Sequence, residues 1–211
     1  GYYRSQFDLS VEHLLAIPVG AEERIATVIP DSDLRPTDPL RVLFYGSFLP
    51  LHGVDVILAA AGQLASEPIE FRFLGGTHTQ AALLRRRCES LGVTRYTHAR
   101  WIAFDQILDE EIPKADLCLG GPFGDTPQAQ RVVTGKTSQC MALGRPTVVG
   151  RISDGPEFID RDNCLLVEQD NPDALADAIR WASDHREALR AIGERGRTLY
   201  QEQLSRAVLR D

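Results

Sequence analysis

No apolar run in this sequence approaches the ~20 residues that a membrane-spanning helix needs, so no segment reads as transmembrane. Cysteine is scarce: Cys88, Cys118, Cys140 and Cys164 form no C-x-x-C pair, and no histidine stands at metal-ligand spacing from them. That excludes a disulfide framework and a zinc ribbon, and reads the four as reduced, mostly buried small apolar residues. The glycine fingerprint G-x-G-x-x-G is absent, which argues against a dinucleotide-dependent enzyme. There is no excess of positive charge either. With 23 Lys and Arg against 30 Asp and Glu the net charge is -7, and the basic residues are spread along the chain, so nucleic acid is not an expected partner. Low-complexity stretches and internal repeats are missing as well. The polar start Gly1-Tyr2-Tyr3-Arg4 does not resemble a signal peptide, and Gly1 stands where Met is usual, so the chain reads as a piece excised from a longer protein.

What is present is ordinary for one soluble α/β domain: 211 residues, 43% hydrophobic and 25% charged. From Leu40 onward, short apolar runs alternate with segments of helical period. Strands are predicted at 41–45, 71–74, 96–101, 117–119, 146–150 and 164–168. Helices are predicted at 52–66, 79–91, 104–114, 136–143, 172–185 and from 186 to about 204. Gly92 and Gly144-Arg145-Pro146 act as helix stops, while Asp170-Asn171-Pro172 opens a helix with a cap and a proline in its first turn. This alternation predicts a Rossmann-like α/β three-layer sandwich on a six-stranded parallel sheet. Before Leu40, Ile17-Pro18-Val19-Gly20 reads as a short strand ending in a turn, and 30–39, rich in Pro and Asp, as a linker. The expected division is therefore a leading segment with a linker over 1–37 and a domain over 38–211.

In such sheets ligands sit beyond the carboxyl ends of the strands, at the point where strand order reverses. The first loop there is Gly46-Ser47-Phe48-Leu49-Pro50-Leu51-His52-Gly53, whose glycines allow backbone approach and which runs into a helix N-terminus suited to phosphate. It reads equally as a plain strand-to-helix turn. Gly75-Gly76-Thr77-His78 offers bare backbone to a ligand, or a turn plus a Thr77 cap. The loop Gly120-Gly121-Pro122-Phe123-Gly124 is long and glycine-rich, costly to order without a function. Gly135-Lys136-Thr137 matches the end of a P-loop, but the first glycine of that motif would fall at Gln130 and no apolar strand immediately precedes. Lys136 with the hydroxyls of Thr134 and Thr137, at the start of a helix, reads either as a diphosphate clamp or as a solvated lysine on a first turn. Asp154-Gly155-Pro156-Glu157 reads as a carboxylate for a sugar hydroxyl or as a helix cap. His13, His98 and His185 read as structural, and Leu175 and Trp181 as core.

The order of these motifs, from about Leu14 to Tyr200, resembles the retaining glycosyltransferases of the double-Rossmann GT-B fold related to glycogen synthase and sucrose synthase. The segment that most resembles the family is KTSQCMALGRPTVVG, Lys136 to Gly150. Before it, Arg41 to Gly46 with Leu51-His52-Gly53-Val54-Asp55 resembles the family's first strand and diphosphate loop. After it, Glu157-Phe158-Ile159, Asn163-Cys164-Leu165-Leu166-Val167 and Pro172-Asp173-Ala174-Leu175-Ala176 follow in order. The resemblance implies one half of a GT-B enzyme, the C-terminal half that holds a nucleoside-diphosphate sugar as donor substrate, with 1–37 as a crossing segment from another domain. No cofactor or metal is implied, and an N-terminal half outside this chain would hold the acceptor. It implies a cytoplasmic setting, with any contact at the inner face of the membrane made through the missing half.

By the same resemblance Lys136, His52 and Arg131 are the candidate catalytic residues. Donor binding would fall to Gly46, Ser47, Phe48, Gly75, Gly76, Trp101, Ile102, Gly121, Phe123, Thr134, Gly135 and Gln139, with Trp101 and Ile102 at the base and Gly121 and Phe123 beneath the nucleotide. Trp101 reads equally as edge packing. The sequence departs from the family where an E-x7-E pair is common, having Arg131 and Gln139 there, and where an Arg and a Lys are common, having Ser47 and His52. These departures keep a second reading open, a nucleotide-binding module that has lost catalysis.

Overall fold

The computed structural model describes Ala21, residues 38–153 and residues 155–208. Apart from Ala21, the predicted crossing segment and linker over 1–37 lie outside the described residues, as does Asp154. Six strands form one sheet: β1 (Leu40–Gly46), β2 (Ile69–Gly75), β3 (Tyr96–Ala99), β4 (Leu117–Leu119), β5 (Thr147–Gly150) and β6 (Leu165–Val167). Their order is β3-β2-β1-β4-β5-β6 and every pairing is parallel. Strand order reverses between β1 and β4, which opens a crevice at their carboxyl ends.

The alternation of apolar residues in each strand explains why helices cover both faces. In β1, Val42 and Phe44 belong to one core cluster and Leu43 and Tyr45 to another; in β4, Leu117 and Leu119 face the first cluster and Cys118 the second. The first face is covered by α1 (Val54–Gln63), α2 (His78–Ser90) and α5 (Pro172–Asp184), through residues such as Ile57, Leu84 and Leu175. The second face carries α3, a mixed segment of Phe104–Gln106, a π-turn at Ile107–Glu111 and Ile112–Lys114, together with α4 (Gly135–Ala142). Helix α6 (Arg186–Leu199), continued by a π-turn at Tyr200–Leu204, starts on the first face with Leu189 and Ile192 and ends on the second with Leu199 and Leu204. The molecule is thus a Rossmann-like three-layer α/β sandwich. Burying Phe44, Phe71 and Phe73 between sheet and helices contributes about 1.5–3 kcal/mol each.

Several boundaries differ from the sequence expectation. The helix predicted from residue 52 begins at Val54, because Pro50–His52 form a 3-10 turn and Gly53 takes a left-handed φ of 63°. The third strand stops at Ala99, short of Trp101. Residues 155 and 156 form a bend, so the cap-and-helix reading of that segment does not hold. Asn171 does cap α5, accepting from the Ala174 N–H at 2.9 Å. All four cysteines are free and buried. Leu175 is fully buried, while Trp181 packs at the margin of the core, stacked on His185 at 4.5 Å.

Candidate functional site

Three segments meet at the crevice between β1 and β4. The turn after β1 is pressed against the loop after β4: Gly124 N–H donates to Leu51 O at 3.1 Å, and a Cβ on Gly53 would lie 2.5 Å from the Phe123 carbonyl carbon. Only glycine fits there, since both the left-handed φ and the backbone approach exclude a side chain. The loop after β4 is in turn tied to the start of α4. Thr134 Oγ1 donates to Gly120 O at 2.7 Å and accepts from the Thr137 N–H at 3.2 Å, while Thr137 Oγ1 donates to Gly121 O at 3.2 Å. Thr134 is therefore both the helix cap and the tether, and the N–H groups of Gly135 and Lys136 are left without intrahelical acceptors.

This arrangement carries Lys136 inward. Its side chain is only 7% exposed, with Nζ 5.5 Å from the centroid of the Phe44 ring. A Cβ on Gly46 would lie 3.1 Å from His52 Cε1 and 3.5 Å from Lys136 Nζ, so the imidazole and the ammonium share the space above Gly46. His52 Nδ1 accepts from the Leu49 N–H at 3.3 Å, which leaves the proton of the neutral ring on Nε2. Among the described residues no carboxylate pairs with Lys136. Burial pushes the Lys136 ammonium down to about 8. Burial, with the nearby Lys136 charge second, pushes His52 down to about 4. The result is a buried lysine and a half-buried histidine beside backbone donors, a combination suited chemically to an oxyanion. Among the described residues no group of three His, Cys, Asp or Glu could hold a metal ion, and no helix is long and apolar enough to cross a membrane.

The other residues singled out in sequence do not all gather here. Gly46, His52, Gly121, Thr134, Gly135 and Lys136 do, and Ser47 is exposed on the same loop. Phe48, at φ 52°, and Phe123 are 7% and 1% exposed. Both rings pack in the core cluster of the first face. Gly75 and Gly76 end β2: Gly75 abuts Gly46 O, and Gly76 lies under the Phe48 ring. Trp101, 81% exposed, and Ile102 follow β3, which lies two strands from β1 in the sheet. Arg131 and Gln139 are not on one helix. Arg131 ends the exposed 3-10 turn Ala129–Arg131 and donates to Pro127 O at 2.9 Å, while Gln139 is buried within α4. The P-loop reading of Gly135-Lys136-Thr137 fails on the same grounds, because a 3-10 turn rather than a strand leads into α4.

Sequence reasoning missed two features. Phe44 read only as a strand residue, yet it forms the floor under Lys136. A groove of about 390 Å³ on the α1 and α2 side of the same loop, lined among others by Leu49, Asp55, Leu83, Asp125 and Asp170, also went unforeseen, since separate stretches of chain build it.

A sheet of this order, with helices on both faces, defines a Rossmann-like domain matching those of GT-B type. The family model described as glycosyl transferases group 1 matches residues 39–185, and the chain belongs to that family. No curated protein sequence matches it significantly. Among solved structures it is similar to Anabaena HepE in complex with UDP and glucose, with a TM-score of 0.67 and 13% identity over 82% of this chain and 47% of that one. It is also similar to a mutant of S. aureus TarM in complex with Fondaparinux, alpha-GlcNAc-glycerol and UDP, with a TM-score of 0.75 and 16% identity over 97% and 39%. A third is the C-terminal domain of the glycosyl transferase group 1 family protein LpcC from Francisella tularensis, with a TM-score of 0.65 and 16% identity over 80% and 89%. The chain thus spans about half or less of the HepE and TarM chains.

Proposed function

We propose that this chain is the donor-binding, C-terminal half of a hexosyltransferase that uses a nucleoside-diphosphate sugar and transfers the sugar with retention of configuration. The observation that carries the reading is the convergence of the β1 turn, the β4 loop and the start of α4 around Lys136, which has no acidic partner among the described residues. The UDP named in the HepE and TarM complexes, and the C-terminal placement of the LpcC domain, support it by analogy. In this reading Lys136, His52 and the open N–H groups of α4 stabilise charge that builds on the departing diphosphate, a preorganised electrostatic role. Arg131 adds positive charge from the rim, Gln139 and the backbone of Gly75 and Gly76 border the nucleoside, and Trp101 with Ile102 meets the base. The acceptor belongs to an N-terminal domain outside this chain, so the chain alone is inactive. The protein works in the cytoplasm, at the membrane only through that other half, and charge is supplied by side chains and helix ends without a metal.

Arg131 and Gln139, in place of the carboxylates the resemblance implies, favour one second reading, a binding module without transfer activity. Calorimetric titration of the chain with UDP, GDP, ADP and NAD tests the main reading. A nucleoside diphosphate is expected to bind and NAD to fail; binding of NAD alone would overturn it. Joined to its N-terminal half, a protein that binds donor yet transfers no sugar would establish the second reading.

A further inference from the structure

Lys136 and His52 share the space above Gly46, and among the described residues no acid stands beside them. The groups that face Lys136 come from four elements. β1 contributes the Phe44 ring and the backbone of Gly46, and the turn after β1 contributes His52. α4 itself contributes the Cys140 thiol, one helical turn on. The loop after β4, tied to the start of α4, brings the backbone of Gly120 and Gly121. Beyond Cys140 lie Tyr45, pushed up by burial, and Cys118, pushed up by its hydrogen bond with Cys140 and by burial, so neither supplies negative charge near neutral pH. Among the described residues the two ionisable nitrogens of the site therefore stand without a carboxylate, and the Cys140 thiol is the group there that favours the charged Lys136.

We propose that seating a diphosphate here draws a proton from solvent onto the site, because the incoming anion is the carboxylate-like counter-charge that the described surroundings of Lys136 and His52 do not provide. The inference rests on the donor reading above and adds a regulatory property to it: donor and product affinity both follow pH. Burial holds the empty Lys136 at about 8, and burial with the Lys136 charge holds His52 at about 4. An anion within a few ångströms favours the charged forms and raises both. At pH 8.5 an ammonium titrating at about 8 has lost its proton in roughly 0.7 of empty molecules, and binding restores it. A phosphate whose second pKa is about 6 is fully ionised at that pH, so the ligand's own titration adds nothing. Affinity should fall by up to about tenfold per pH unit above 8, until the raised value is passed. Near pH 7 Lys136 is already protonated, and its uptake is about 0.1 proton.

The test is calorimetric titration of the 211-residue chain with UDP at pH 8.5, in two buffers of different ionisation enthalpy, repeated at pH 7.0 and with Lys136→Arg. The expected result is uptake of about half a proton or more per UDP at pH 8.5 and less at pH 7.0. Lys136→Arg, whose guanidinium does not titrate in this range, should bind UDP at pH 8.5 without that uptake. Should the variant not fold, the wild-type pair of buffers still decides. UDP binding with equal heats in both buffers at pH 8.5 would overturn the proposal and leave the donor reading standing. Wild-type uptake retained in Lys136→Arg would overturn it too. Failure of UDP to bind at either pH would instead remove the donor reading on which it rests.

Discussion

The two ends of β1 treat charge in opposite ways. At the amino end, Arg41 donates from its backbone N–H and from Nε and Nη2 to the carboxylate of Asp116, at 2.8, 3.0 and 2.8 Å. Nearby, Arg72 meets Glu111 in a second two-pronged pair. At the carboxyl end, Lys136 and His52 lie together over Gly46 with no acid among the described residues to offset them. Paired charges fasten β1 to the neck of β4 and cost little to keep. The unpaired lysine is destabilising: a shift from 10.5 to about 8 corresponds to about 3 kcal/mol at most. A buried lysine at the crevice, set against the carboxylate-paired Arg41 and Arg72 at the other end, is a perturbed group of the kind expected at a binding site.

The harshest way to disturb the carboxyl rim is Gly53→Ala. The left-handed φ and the 2.5 Å approach to Phe123 should cost about 3 kcal/mol or more in urea denaturation, because the β1 turn and β4 loop must part. Lys136→Met separates the two ends most cleanly. UDP affinity should drop about 10- to 100-fold by titration, while the empty chain becomes more stable by about 1–3 kcal/mol at pH 7. The sign follows from the lowered value: the folded state holds the Lys136 proton more weakly than the unfolded state does. Wild-type stability should therefore rise between pH 8 and 10.5, and that rise should vanish in Lys136→Met. Asp116→Ala, at the amino end, should cost about 2 kcal/mol and leave UDP affinity unchanged, since it strands the Arg41 pair without touching the crevice. The smallest effect belongs to His52. Its lowered value makes the folded state resist protonation, so stability contributed by the neutral ring is lost as pH falls from 6.5 toward 4. His52→Gln should flatten that part of a thermal-melt series.

The sheet was far more legible in sequence than either rim. Short continuous apolar runs located every strand to within a few residues, because burial on both faces demands them, and Gly92, Gly144 and Asn171 marked helix ends through local chemistry. The crevice depends on contacts between distant stretches of chain. Nothing near Lys136 in sequence tells that Phe44 and His52 will enclose it, so a solvated first-turn lysine and a buried one looked alike. Phe48 and Phe123 looked like ligand platforms because they sit in glycine-rich loops; their rings turn into the core, one through a left-handed backbone that no residue pattern announced. Arg131 and Gln139 were paired by resemblance to the family's E-x7-E, and Arg131 precedes the helix that starts at Gly135.

A crystal structure of the chain grown with UDP bears on the central idea most directly. The diphosphate should lie within hydrogen-bonding distance of Lys136 Nζ and of backbone N–H groups at the start of α4, above Gly46. UDP bound instead in the groove beside Asp55 and Asp125, with Lys136 untouched, would contradict it.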